Sequence, residues 1–406
     1  MKIKLTNFYK VLVFTGIALT FFSSACLWNE QNLSNYILCS LIVMGISVLS
    51  YVIRPIPLRK ILNNRYIVWI ILTYLIFEIY GLCFLRIGEF NWDFILVSGI
   101  LQICLTILLM SIQDDEEVVG LFCSSCAVTV VVVCLYMIQK GSIRLSNVTF
   151  GSSFGLELSG NRNTVATIIG IMIIPVAYLM MKANKTKLLL AAVLILSTGC
   201  MLLTGSKKGI IVILLIMIMI FFADRKAIKY LIFPFILIIS IYAVFNIPVL
   251  YNVVGFRLRD MFATLGFGTS VTNAQSTYIR NSYILMGLKS MWNHPLFGGG
   301  MNYFQYINNA RYYSHNNYIE LLNNVGIVGT LIYYWPALKR IPSVYNETKI
   351  HKNDGNYLKW VFLLFFFISK FALDYAMVSY STMCVFNIQF LLVFEVLRRE
   401  KISNAR

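Results

Sequence analysis

Residues 188–223 read LLLAAVLILSTGCMLLTGSKKGIIVILLIMIMIFFA. Taken as one continuous helix, this stretch would bury Lys207 and Lys208 near its middle, in hydrocarbon, at several kcal/mol. Thr204-Gly205-Ser206-Lys207-Lys208-Gly209 instead reads as a tight turn joining two apolar segments, 188–203 and 209–223. Two apolar runs back to back around a short polar turn describe a chain that crosses a bilayer and returns.

The same pattern repeats along the chain. Apolar segments fall at 11–27, 36–53, 66–85, 94–112, 118–138, 164–181, 188–203, 209–223, 230–250, 318–337, 357–375 and 379–397. Hydrophobic residues make up 59 % of the 406 residues and charged residues only 13 %. The latter is about half the share of a soluble domain. These figures exclude a water-soluble enzyme with a single apolar core, and the repetition excludes an isolated signal sequence. The expected fold is an all-α polytopic membrane protein of about twelve transmembrane helices with one long extracytoplasmic loop.

The net charge of +17 reads as topology. With an even number of spans both termini share a side, and 22 of the 34 basic residues fall on that side. The inside-positive rule makes it cytoplasmic. The acidic run Asp114-Asp115-Glu116-Glu117 falls there too. No continuous basic helix or aromatic-interleaved basic patch points to nucleic acid. Cys123 and Cys126 form a CxxC inside an apolar run, with no second pair or histidine set to complete a metal site, and read as helix packing. The chain divides into 1–250 (spans one to nine), 251–317 (an outer loop with an amphipathic helix) and 318–406 (spans ten to twelve and a cytoplasmic tail). Within the loop, Tyr278–Trp292 reads as an interfacial helix with Leu285, Leu288 and Trp292 toward the membrane.

Candidate working residues concentrate on the outer side. His315, in Ser314-His315-Asn316-Asn317-Tyr318, offers an imidazole that can take or give a proton near neutral pH. The same cluster also reads as a helix cap. Asn316 and Glu320 join it as candidate substrate contacts, Glu320 also as a group that orients the histidine. Arg280, Arg257, Arg259 and Arg311 lie in the long loop, where guanidinium forks suit phosphate oxygens and also ordinary lipid headgroups. Lys207 and Lys208 sit in an outer turn against the charge rule, which an anionic substrate or anionic lipid explains. Arg162, in Gly160-Asn161-Arg162-Asn163, suits sugar hydroxyls or a helix start. Lys370 and Asp374 share a helix face and read as a buried ion pair lining a polar cavity. Glu78 is a lone polar position inside the third span. Pro295 and Gly298-Gly299-Gly300 mark a sharp turn whose backbone donors suit an anion, or flexibility.

His294-Pro295-Leu296-Phe297-Gly298-Gly299-Gly300, followed by Ser314–Tyr318 and Gly326-Ile327-Val328-Gly329, resembles the O-antigen ligase and Wzy-type polymerase superfamily. Arg280, Gly287 and Trp292 fit the same block. Leu203–Gly209 looks like the family's short Gly-Ser-Arg-Gly turn, and Gly160–Asn163 like its Asn-x-Asn motif. The resemblance covers about 160–335 in motifs. It implies a GT-C-like ligase/polymerase fold and a metal-independent, cofactor-free glycosyltransferase acting on the outer face of the cytoplasmic membrane. The implied donor is an undecaprenyl-diphosphate oligosaccharide. The implied partners are a second lipid-linked unit, membrane lipids, and a chain-length regulator and flippase of the same pathway. By this likeness Arg280 binds the diphosphate and His315 sits at the reaction centre. Lys207 stands where the family usually has arginine, which keeps the charge and loses the bidentate fork.

Polymerase is the preferred reading. High Ile, Asn, Lys and Tyr usage suggests an AT-rich, Gram-positive genome, which lacks lipid A-core but makes capsule or exopolysaccharide. Ligation of O-antigen or cell-wall glycopolymer is the near alternative. Transport of lipid-linked oligosaccharide is the alternative from another class, disfavoured by the outer clustering of polar residues and by the lack of paired broken helices in the sequence pattern.

Overall fold

The computed structural model describes residues 5–28, 32–88, 92–140, 162–204, 206–223, 242–248, 251, 255, 259, 274–308, 311–380 and 384–404. Of these, 5–7, 92–96, 162, 207, 274–278 and 401–404 are described as backbone only. The described residues form helices and connecting turns, with no named strand. The first six helices are α1 (Leu5–Cys26), α2 (Leu33–Ile53), α3 (Leu58–Leu62), α4 (Arg65–Cys83), α5 (Trp92–Met110) and α6 (Asp115–Gln139). Next come α7 (Arg162–Lys182), α8 (Lys187–Leu203) and α9 (Lys207–Ala223). The remainder are α10 (Ala274–Ser290), α11 (Tyr303–Ile307), α12 (Asn317–Asn324), α13 (Gly326–Leu338), α14 (Ile341–Ile350), α15 (Tyr357–Asp374) and α16 (Ile388–Asn404).

Among the described residues, five helices are long and apolar enough to cross a bilayer: Phe8–Cys26, Leu33–Ile53, Arg65–Cys83, Asp115–Gln139 and Asn163–Lys182. Val97–Met110, Lys187–Leu203 and Lys208–Ala223 are shorter apolar helices. The protein is thus an all-α, multi-pass membrane protein. The expected span 230–250 lies outside the described residues except for 242–248.

α6 and α7 form the centre. α6 packs on α1, α7, α8 and α16, and α7 also packs on α1, α8, α9 and α15. On α7 every residue from Val165 to Tyr178 is buried, which fits a helix apolar all round and enclosed by others. Outer helices such as α2 instead turn Leu38, Leu41, Val48 and Val52 outward, as lipid-facing residues do. Cys123 and Cys126 are buried in α6, in keeping with helix packing.

The acidic run has a structural use. Asp114 caps α6 by accepting from the Glu117 amide at 3.1 Å, and three carboxylates fill the first turn, where the helix dipole favours them. These carboxylates then hold three other helices. Glu117 pairs with Lys10 of α1, Glu116 with Lys182 of α7 at 2.5 Å, and Asp115 with the buried Lys359 of α15 at 2.5 Å.

Two expected spans are corrected. The segment 318–337 is not one helix. It breaks between α12 and α13, at Val325 and at Gly326 with φ +67°. The cause is the loop 294–300, which inserts there. The Gly299 and Gly300 amides donate to Asn323 and Asn324 carbonyls at 2.8 and 3.0 Å. The Ile327 and Val328 amides donate back to Pro295 and Leu296 carbonyls at 2.9 and 3.1 Å. A Cβ on Gly298 would lie on the Asn324 carbonyl, and one on Gly326 on the Leu296 carbonyl, closer than any real Cβ contact. Gly298 also has φ +73°, so backbone meets backbone here because both positions lack side chains. The segment 379–397 is likewise not helical from its start. Helix α16 begins at Ile388, after a 3₁₀ turn at Cys384–Asn387. The Ser379 and Tyr380 amides are drawn off to Asn317 Oδ1 at 2.8 and 3.0 Å.

Candidate active site

The turn from Ser314 to Asn316 is locked from both sides. Asn316 caps α12, its Oδ1 accepting from the Tyr318 and Ile319 amides at 3.0 and 3.1 Å. The Ser314 amide donates to Glu320 Oε2 at 2.8 Å, and Ser314 Oγ donates to the Asn316 carbonyl at 2.8 Å. Between these anchors His315 has φ +58°, a left-handed conformation that costs a non-glycine residue about 1 kcal/mol or more. The ring of Tyr313 lies against its imidazole at 4.2 Å between centroids.

Arg280 arrives on α10. Arg280, Tyr283, Gly287 and Ser290 recur at helical spacing and form one face. That face docks on α12. Tyr283 packs with Phe304 and Ile319, Gly287 faces Ile319, and the Gly287 carbonyl accepts from Asn323 Nδ2 at 3.0 Å. The opposite face exposes Leu285 and Leu288; the expected helix to Trp292 ends at Ser290, and Trp292 is exposed in the 3₁₀ turn Met291–Asn293 that follows. Lys208 arrives on the first turn of α9, since the break after α8 covers only 204–206 and the two lysines expected in the turn open the next helix. This break is held by the Ser206 amide donating to Thr204 Oγ1 at 3.2 Å and the Gly209 amide to the Ser206 carbonyl at 3.1 Å.

Lys208, Arg280, His315 and Glu320 meet on the wall of one cavity of about 240 Å³, together with Asn163, Gln305, Tyr313 and Tyr380. That is below the usual range of about 300–1,000 Å³ for a small-molecule pocket. It suits the charged head of a ligand whose bulk lies elsewhere. Burial pushes the His315 imidazole down to about 4, and the nearby Arg280 and Lys208 cations add to the shift. The ring is therefore neutral at pH 7, with a free lone pair. Burial also raises the Tyr313 phenol above its ordinary value, so it remains a neutral hydroxyl.

The other expected site residues fall differently. Asn316 is buried, caps α12 and is not among the residues of the cavity wall. Arg311 is exposed and off the wall. Arg259 is exposed and donates to the Tyr251 hydroxyl at 3.3 Å. Arg257 and the side chains of Arg162 and Lys207 lie outside the described residues. The Gly298–Gly300 amides, which the sequence left open to an anion or to flexibility, are all bonded to backbone carbonyls, Gly298 to His294 within the loop and Gly299 and Gly300 to α12. Glu78 is a half-buried residue of α4 whose Oε1 has no hydrogen-bond partner.

Lys370 and Asp374 are a buried pair, as expected. Lys370 Nζ donates to Asp374 Oδ1 at 2.5 Å and to Ser379 Oγ at 2.7 Å. Tyr334 donates to Asp374 Oδ2 at 2.7 Å, and Asn317 Nδ2 donates to Tyr334 Oη at 2.7 Å. The pair thus fastens α12 and the 376–380 wall to the bundle. It acts on the cavity from behind, since neither residue lines it.

Asn163 belongs to the Gly160–Asn163 stretch already quoted from the sequence, whereas Gln305, Tyr313 and Tyr380 were not singled out there. Tyr313 had a usable signal, since it stands two residues before His315. Gln305 and Tyr380 had none, because only the fold of 299–308 and 376–380 brings them to the wall.

Fold and site together define a class: a polytopic, all-α membrane protein that gathers two cations, a carboxyl group and a neutral imidazole around a small cavity. Residues 191–334 match the O-Antigen ligase family, and the match supports the O-antigen ligase/polymerase superfamily. The matched region includes Lys208, Arg280, His315 and Glu320. It supports an enzyme of the glycosyltransferase-like ligase and polymerase kind. No curated protein matches the chain.

Proposed function

We propose that the protein is a polysaccharide polymerase, joining undecaprenyl-diphosphate-linked oligosaccharide units and releasing undecaprenyl diphosphate. The observation that carries this reading is the convergence of Lys208, Arg280 and His315 on one cavity. Two cations suit a diphosphate, and a neutral imidazole beside them suits a proton acceptor. The charge distribution of the sequence supports a reading in which this end of the bundle faces outward from the cytoplasmic membrane, with both termini inside.

The acceptor hydroxyl attacks the anomeric carbon of the donor sugar. The new carbon–oxygen bond forms as the bond to the diphosphate oxygen breaks, with inversion. The hydroxyl proton passes to His315, and the negative charge of the leaving diphosphate falls beside Arg280 and Lys208. The same cations that depress His315 in the free protein are offset by the bound anion. Donor binding therefore raises the basicity of the imidazole when it is needed. No step calls for a metal.

The test uses full-length protein in liposomes with a defined undecaprenyl-diphosphate repeat unit and EDTA. A ladder of lipid-linked chains supports polymerisation. Product on a different acceptor, with no ladder, moves the reading to ligation. Lipid-linked sugar crossing the bilayer at unchanged length moves it to transport.

A further inference from the structure

We propose that Glu347, His351 and Glu400 form a structural site for one divalent cation of the Zn²⁺ class, tying the C-terminal helix to the α14–α15 corner. The ligand atoms of these three residues all lie within 4.8 Å of one another. His351 Nε2 stands 3.7 Å from Glu347 Oε2 and 3.7 Å from Glu400 Oε1. Ligands at roughly 2.0–2.1 Å around a tetrahedral ion stand about 3.3–3.4 Å apart, so the two histidine–glutamate pairs need only a small closure, and the two carboxylates, within 4.8 Å, must draw together by up to about 1.5 Å. Three protein ligands leave the fourth position to water.

The hydrogen bonding of His351 supports the assignment. Its Nδ1 lies 2.6 Å from Asp354 Oδ2. An ionised carboxylate only accepts, so Nδ1 carries a hydrogen, and a metal taking the place of the Nε2 proton would bind on the side that faces Glu347 and Glu400. Carboxylates on either side of that nitrogen call for a positive centre between them. A carboxylate on the far ring nitrogen is the usual second partner of a metal-bound histidine. Asp354 is itself fixed, its Oδ1 accepting from the Asn356 amide at 2.8 Å. The imidazole is stacked on Trp360, with ring centroids 6.0 Å apart and planes at 12°.

The elements involved explain what such an ion would do. Glu347 and His351 are one helical turn apart at the end of α14, while Glu400 comes from α16. α14 and α15 meet at the 3₁₀ turn His351–Asn353. The site lies near the start of α15, and the cavity residues Ala376–Val378 follow its end. The length of that helix, about 1.5 Å per residue, separates the ion from the transfer chemistry. The assignment therefore stands apart from the proposed function, and transfer should proceed in metal-stripped protein held below its unfolding temperature.

The experiment uses full-length protein in detergent, without a polyhistidine tag, stripped with chelator, loaded with Zn²⁺ and desalted. Metal content is read by mass spectrometry, and Co²⁺ loading is read by its visible absorption. One equivalent retained by the wild type, with a higher unfolding temperature and tetrahedral-type Co²⁺ bands, is expected. His351→Gln and the near-isosteric Glu400→Gln should each lose that equivalent and the thermal gain. Asp354→Asn should weaken affinity about 10–100-fold, as loss of an outer partner does. Folded wild type that retains no metal, or variants that retain as much as wild type, would overturn the proposal and leave an imidazolium flanked by carboxylates.

Discussion

Acidification should leave His315 unprotonated down to about pH 4, because burial and the Arg280 and Lys208 cations all disfavour its charged form. The consequence is large. At pH 5.5 an imidazole of ordinary pKa 6.5 is about 90 % protonated, whereas one at about 4 is about 3 % protonated. The protein has only three histidines, His294, His315 and His351, so ¹⁵N-histidine NMR in micelles can follow each, with single His→Gln variants for assignment. Lys208→Gln removes one cation and should move the His315 midpoint upward, as should inorganic diphosphate bound in the cavity. The linkage sign follows. The folded midpoint lies below the unfolded one, so the stability contribution of this group is full above about pH 6.5. It declines as pH falls toward 4 and changes no further below that. A midpoint near 6.5 in the folded protein, unmoved by Lys208→Gln, would refute both the desolvation and the proximity of the cations.

Other substitutions test separate parts of the account. Gly298→Ala must hold a left-handed residue against the Asn324 carbonyl. It should cost more than the ~1–2 kcal/mol of the conformation alone, read as a lower unfolding temperature. Gly45→Ala, in a helix with open space around the new methyl, should stabilise by about 0.5–1 kcal/mol in the same assay. Lys370→Met strips the partner from buried Asp374 and should cost about 3–5 kcal/mol; the Lys370→Met, Asp374→Leu double variant should recover much of it. Lys208→Ala should lower kcat/KM by at least tenfold, as loss of a ~1.5–3 kcal/mol hydrogen bond to a charged group does, with Lys208→Arg retaining most activity.

How much of this was readable in advance depended on whether a signal was local. The break after Leu203 was legible because two lysines cannot sit mid-bilayer in one helix, and Lys208 reaches the cavity from the first turn of α9. Arg280 and His315 were singled out by residue type, a guanidinium fork and an imidazole beside structural alternatives, and the fold brings both to one cavity. The division of 318–337 was not, because its cause lies at 294–300, a loop whose glycines read equally well as a flexible hinge. The same distance in sequence hid the shift of the last helix, which depends on Asn317 taking the amides of Ser379 and Tyr380. Asn316 carries two local signals at once: a polar residue next to a candidate base suits a substrate contact, and an asparagine just before a helix suits a cap, of which the structure shows the cap. The acidic run at 114–117, against the grain of a basic surface, made sense only once Lys10, Lys182 and Lys359 were seen to converge on it.

The central claim is that His315 takes the acceptor proton in a polymerising transfer. Its most direct test compares wild type and His315→Ala in liposomes, with equal membrane insertion and unfolding temperature established beforehand. Both are given the same undecaprenyl-diphosphate repeat unit and EDTA. The account expects a ladder from the wild type and a rate at least about 100-fold lower from the variant, the usual scale for loss of a general base. An undiminished ladder from folded His315→Ala would contradict it.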